Sequence, residues 1–129
     1  MRLSLIVNAA PEEGQSAWSA YHFARQALAD GHELYRIFFY HGGVANGCNA
    51  RRPPQDETDL TRLWQALAEE HGLDLVICIS AAKRRGIFND AEAQRHQAPS
   101  NLAAQFTLSG LGQYTDALIS SDRLVSFGG

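Results

Sequence analysis

Cysteine is almost absent from this chain. There are two, Cys48 and Cys78, with no CxxC pair. That argues against a disulfide scaffold and is the usage of a reducing compartment, here expected to be the cytoplasm. Long apolar runs are missing as well. The first, Leu3 to Val7, is broken by Ser4 and stops at Asn8 with Pro11 just beyond. It is too short for a signal-peptide core or a bilayer span, so neither export nor membrane insertion is expected. Neither sign of charge dominates: 11 Lys and Arg stand against 14 Asp and Glu, a formal charge of -3. Such a chain has no general attraction for a nucleic-acid backbone, and direct nucleic-acid binding is not expected. The five histidines, His22, His32, His41, His71 and His96, are neither paired at i,i+4 nor set among carboxylates at ligand spacing. No metal site is indicated.

What is present is an alternation of strand-like and helix-like segments within 129 residues, enough for one domain with its own core. Arg2 to Asn8 reads as a strand and Ala17 to Asp30 as a helix, with Trp18, Tyr21, Ala24 and Leu28 on one side, Ser16 as N-cap and Gly31 as stop. Leu34 to Tyr40 is a second strand, nearly continuous in apolar character from Ile37, as a strand covered on both faces should be. His41 to Thr58 is rich in Gly, Asn and Pro and reads as a long loop. The next helix is the clearest. Leu60, Leu63, Trp64, Leu67 and Ala68 repeat at helical spacing after Thr58 or Asp59, and Gly72 ends it.

Asp74 to Ser80 reads as a third strand, and Asn89-x-x-Glu92 as a capping-box-like start of a short helix ending near His96. Leu102 and Phe106 suggest a further helical turn. Ser109 to Ser120 reads as the last helix, with Leu111, Thr115 and Leu118 inward, and Arg123 to Phe127 as a closing strand. On this reading Gly110-Leu111-Gly112 follows no strand, so it is not a phosphate cradle of the strand–turn–helix kind. The expected fold is α/β: one three-layer α/β/α sandwich over residues 1–129, with a mainly parallel sheet of about five strands and right-handed crossovers.

In open α/β sheets, reactive groups gather outside the carboxyl ends of the strands. Cys78 stands near the end of Leu75-Val76-Ile77-Cys78-Ile79 and is followed by Ser80-Ala81-Ala82-Lys83-Arg84-Arg85-Gly86. If the strand there gives way to a helical turn, free N–H groups and cationic side chains favour thiolate over thiol. The alternative is a small hydrophobe filling a central strand. Tyr40 and His41, at the end of the second strand, and Gln15, after the first, are candidate lining residues. Cys48 lies in the long loop and could serve as a second thiol only if the fold brings it close.

The strings Asp30-Gly31-His32-Glu33-Leu34, Phe38-Phe39-Tyr40, Ala81-Ala82 with Arg84-Arg85-Gly86, and Phe106-Thr107-Leu108-Ser109-Gly110-Leu111-Gly112 resemble the DsrE-like sulfur-relay family, most closely its TusD-like branch. The resemblance runs from Met1 to Phe127 and implies a persulfide carrier. Cys78 takes the place of the reactive cysteine, Ser80, Ala81, Ala82, Arg84 and Arg85 support its sulfur, and no metal or organic cofactor is needed. It further implies a heterohexamer with TusB-like and TusC-like subunits, a TusA-like donor and a TusE-like acceptor, in a relay that thiolates the wobble uridine of certain tRNAs. Other outcomes are a DsrE-type role in dissimilatory sulfur oxidation, a non-catalytic assembly subunit, or a flavodoxin-like small-ligand binder. Two features depart from the family pattern: Cys48, and the turn Ala9-Ala10-Pro11-Glu12-Glu13.

Overall fold

The computed structural model describes residues 1–128. Its five strands are β1 (Arg2–Val7), β2 (Glu33–Phe39), β3 (Leu75–Cys78), β4 (Phe106–Ser109) and β5 (Arg123–Phe127). All neighbours pair in parallel, in the order β4-β3-β2-β1-β5. The helices are α1 (Ser16–Ala29), α2 (Leu60–His71), α3 (Ile79–Arg84), α4 (Asp90–Arg95) and α5 (Gly112–Ser120), and a 3-10 turn occupies His41–Gly47. The α/β expectation holds: a five-stranded parallel sheet is flanked by helices.

The connections explain the layers. From β1 through β4 each step moves toward the same edge, so right-handed crossovers put α1, α2 and the α3–α4 segment on one face. The return from β4 to β5 runs the other way and puts α5 alone on the opposite face. Consecutive residues of β2 report both sides, as the pleat requires: Phe39 packs edge-on against Trp64 of α2, and Phe38 against Tyr114 of α5. The largest fully buried side chains, among them Trp64, Phe38, Phe39, Leu5 and Ile37, sit along this sandwich.

The helix α2 is built as its sequence suggests. Asp59 caps it by accepting from the Thr61 N–H at 3.0 Å, and Gly72 closes it at φ 66°. Four expectations need correction. Ser16 is the first helical residue of α1 rather than its cap; Gln15 holds the cap position without a side-chain bond. Phe106 belongs to an edge strand, β4, and not to a helical turn. Gly110-Leu111-Gly112 therefore does follow a strand and leads into α5. The phase of α5 also differs: Leu111 and Leu118 are 47% and 48% exposed, whereas Ala117 is buried and Tyr114 faces the sheet.

The reason for that phase is electrostatic. A bulge between Leu3 and Ser4 leaves Tyr35 as an extra residue in β2, so that Tyr35 and Arg36 both reach α5. Tyr35 Oη donates to Asp116 at 2.6 Å, and Arg36 Nη1 donates to Asp116 at 2.9 Å and to the Gln113 carbonyl at 2.8 Å. Arg36 Nε holds Asp74 at 2.7 Å. Burial opposes the charge on Arg36, but its bonds to Asp74 and Asp116 outweigh this and raise its pKa. The hydrogen bonds from Tyr35 and Arg36 hold Asp116 below its ordinary 3.8.

The 3-10 turn is docked as tightly. A Cβ on Gly43 would collide with the Val7 carbonyl, so only glycine lets the turn sit on the end of β1.

Two outcomes follow from these contacts. Gly43→Ala should cost roughly 1–3 kcal/mol in urea unfolding, whereas Gly110→Ala, where a Cβ meets nothing within 4 Å, should stay within about 0.5 kcal/mol. Because the folded-state pKa of Asp116 lies below its ordinary value, its stabilisation is complete above pH 3.8 and is lost as pH falls through the lowered value. Asp116→Asn should therefore destabilise the protein at neutral pH and flatten the acid limb of a stability-versus-pH curve; an acid limb as steep as the parent's would contradict this assignment.

Candidate active site

Cys78 is the last residue of β3 and the N-cap of α3, with φ -64° and ψ 120°. Alternation along β3 settles its direction. Ile77 packs beneath Gly47 on the α2 side, so Cys78 shares the other face with Val76, Phe38 and Tyr40. Its Sγ lies 3.5 Å from Ser80 Oγ. In the ladder it stands beside Ser109 of β4, and one step past the last β2 pairing its neighbour is Tyr40. The thiol is free but only 1% exposed. The sequence expectation of a sulfur reachable at the sheet rim is thus half met: the position is the rim, and the side chain is covered.

The supporting residues divide. Ser80 reaches the sulfur, and Ala81 and Ala82 are buried in the following turn. Arg84 and Arg85 are exposed at the far end of α3, where Arg85 Nη1 donates to the Ala81 carbonyl at 3.4 Å. Lys83 turns to Glu92 of α4, with Nζ 3.3 Å from Oε2. The cations expected around the thiol are therefore not gathered there. Glu92 is itself buried, which opposes its charge, yet Lys83, Arg95 and His96 around it hold its pKa below the ordinary 4.5. Asn89 caps α4 by accepting from the Glu92 N–H at 2.9 Å. The Glu92 carboxylate points at these cations, so only half of a capping box forms.

Tyr40 and His41 do come together. Their rings stack at 4.0 Å between centroids, with His41 at φ 48°. They line an open cleft of about 450 Å³ with Asn8, Leu111, Tyr114 and Thr115, on the face of the sheet that Cys78 shares. The Asn8 Oδ1 is buried without a hydrogen-bond partner. Gln15 is elsewhere, beside Pro11, Trp18 and Glu57 in a different hollow. Sequence reasoning missed Ser109, Leu111 and Tyr114 as neighbours of the site. The signal was available in Phe106-Thr107-Leu108-Ser109, whose apolar–polar alternation is that of a strand.

The burial of Cys78 has a measurable consequence. In the native protein, alkylation should modify the half-buried Cys48 well before Cys78, and urea below the unfolding midpoint should accelerate Cys78; peptide mass spectrometry reads both rates.

Comparison with known proteins shows the family. The chain is 46% identical over 128 residues to the sulfurtransferase TusD of Klebsiella pneumoniae, covering 98% of this chain and 100% of that one. It is also 46% identical over 129 residues to a DsrE protein of Allochromatium vinosum, covering 99% of each. Among solved structures, the ychN protein from E. coli superposes with a TM-score of 0.79 at 16% identity, over 98% of this chain and 99% of that one, a likeness of fold. Residues 1–127 match the DsrE/DsrF-like family, and the chain belongs to it.

Proposed function

We propose that this protein is a sulfurtransferase of the TusD/DsrE type, which carries sulfane sulfur as a persulfide on Cys78. The observation that carries the reading is a free, buried thiol at the β3–α3 junction, 3.5 Å from a hydroxyl and on the same face of the sheet as an open rim cleft lined by its strand-end neighbour Tyr40. Relatives named sulfurtransferase at 46% identity over nearly the whole chain support it.

The chemistry balances without an external oxidant. The Cys78 thiolate attacks the outer sulfur of a donor persulfide R–S–S⁻; the donor S–S bond breaks, R–S⁻ leaves, and Cys78–S–S⁻ forms. An acceptor thiolate then attacks that outer sulfur and releases Cys78 as thiolate. Ser80 Oγ is placed to donate to the anionic sulfur, and the Tyr40–His41 pair walls the path by which a donor or acceptor thiol arrives. Transfer requires the cover over Cys78 to open, and the exposed Arg84 and Arg85, at the end of the helix that Cys78 caps, offer charge to an acidic partner surface.

The finer reading is a relay that ends in 2-thiouridine at the tRNA wobble position, with a TusA-like donor, a TusE-like acceptor, and TusB-like and TusC-like subunits in a heterohexamer. Leu118 and Ile119 on α5, 48% and 79% exposed, supply apolar surface for such an assembly. The alternative is a DsrE-type role in dissimilatory sulfur oxidation, and the chain is as similar to a DsrE protein as to a TusD.

Incubation with a persulfidated TusA-like carrier should add one sulfur atom to the Cys78 peptide, and Cys78→Ser should abolish passage of sulfur to a TusE-like acceptor. An unlabelled Cys78 peptide, or undiminished passage through Cys78→Ser, would overturn the assignment.

A further inference from the structure

The second thiol stands in a different setting. Cys48 follows the 3-10 turn, and its backbone is fixed by a bridge to Leu102 and by the Asn49 N–H bond to the Asn101 carbonyl at 2.8 Å. It opens on a cavity of about 170 Å³ on the α2 side of the sheet, whose wall also carries Arg51, Arg52, Arg62, Thr61 and Asp59. Three guanidiniums against one carboxylate make this wall cationic. Arg62 faces Asp59 at 3.5 Å and Arg51 binds Glu12 at 2.7 Å. Arg52 forms no ion pair among the described residues. Its Nη1 is spent on two loop carbonyls, Asn49 at 2.6 Å and Arg51 at 2.8 Å, which hold the guanidinium in place on the wall of the cavity that Cys48 also lines.

These features together select a ligand class. The guanidinium forks match a compact oxyanion. The volume holds a tetrahedral group rather than a peptide, and a thiol beside it needs an electrophilic sulfur to act on. We propose that this cavity binds a small sulfane-sulfur oxyanion of the thiosulfate class and that Cys48 is a second, independent sulfur acceptor. The Cys48 thiolate attacks the terminal sulfur of thiosulfate; the S–S bond of thiosulfate breaks, sulfite leaves with the electron pair, and Cys48–S–S⁻ remains. Sulfite leaves as an anion against the same guanidiniums that bound the substrate. The choice of a sulfur donor rests on the sulfur-transfer reading above, whereas the site itself does not involve Cys78.

The test uses the full chain carrying Cys78→Ser, with Cys78→Ala as a second background in case the first folds poorly. Thiosulfate is added, persulfide is trapped with iodoacetamide, and sulfite release is followed alongside mass spectrometry of the Cys48 peptide. One added sulfur on Cys48 with matching sulfite is expected. Arg52→Ala should lower the rate at limiting thiosulfate roughly tenfold, the loss of one charge-assisted contact, while Arg123→Ala on β5 leaves it unchanged. An unmodified Cys48 in both backgrounds, or equal rates for the two arginine variants, overturns the proposal. Because Cys78 is absent throughout, failure here leaves the Cys78 experiment with the protein carrier unaffected.

Discussion

Asn46 is the fastener on which the rim of this protein depends. Fully buried, it donates through Nδ2 to the Ala9 carbonyl at 3.1 Å and to the Gly43 carbonyl at 2.8 Å, and accepts through Oδ1 from Trp64 Nε1 at 3.2 Å. One side chain thus joins the loop after β1, the 3-10 turn after β2, and α2. An unpaired buried amide costs about 1–3 kcal/mol per lost group, so the three partners are mutually obligatory. Gly43 completes the joint by letting the turn sit on the Val7 carbonyl. The positions of Tyr40 and His41, and with them the wall of the rim cleft, follow from this joint rather than from local propensity.

The burial of Cys78 shapes how the site can work. A thiol 1% exposed reacts through a minor open state, and its apparent reactivity is scaled by the population of that state. On the function proposed above, closure would shield a persulfide on Cys78 from water and from small oxidants. The elements that adjoin the thiol are short: α3, which follows it, spans six residues, and the Gly110–Gly112 turn, which follows its ladder neighbour Ser109, joins β4 to α5. The ion pair of Glu92 with Lys83 ties α3 to α4. Opening at the turn between β4 and α5 would spare that tie, and a docking partner could drive it by contacts made only in the open form.

Much of this was legible in the sequence because long elements carry redundant signals. The helix α2 announced itself by spacing, by a cap at Thr58 or Asp59 and by a stop at Gly72, and the structure keeps the spacing and the stop and puts the cap at Asp59. The fold class followed from the order of elements, and Cys78 fell at a strand end as its flanking residues suggested. The failures came where an element is short or its environment is set from far away. At four residues β4 has too little period to outweigh the i,i+4 spacing of Leu102 and Phe106. The face of α5 was misread because hydrophobic periodicity assumes that apolar residues turn inward. Here Asp116, drawn to Tyr35 and Arg36, fixes the rotation and leaves Leu111 and Leu118 outward. No local pattern near Arg84 and Arg85 shows that they stand at the opposite end of α3 from the sulfur, since that depends on where β3 stops.

The two faces of the sheet divide the labour, and the division comes from chain order. Three connections on one face bury Leu5, Ile37, Phe39 and Ile77 beneath α1, α2 and the α3–α4 segment. On the other face a nine-residue helix, α5, has to cover a five-stranded sheet. It packs on β1, β2 and β5, held there by Asp116 and Phe38–Tyr114. Beyond its N-terminus lies the thinly covered strip above the ends of β2 and β3, where Tyr40 and Cys78 stand. A right-handed return crossover leaves this strip thin whatever residues fill it. A residue at the end of β3 facing that side lies beyond the strands on which α5 packs, and so outside the best-covered part of that face.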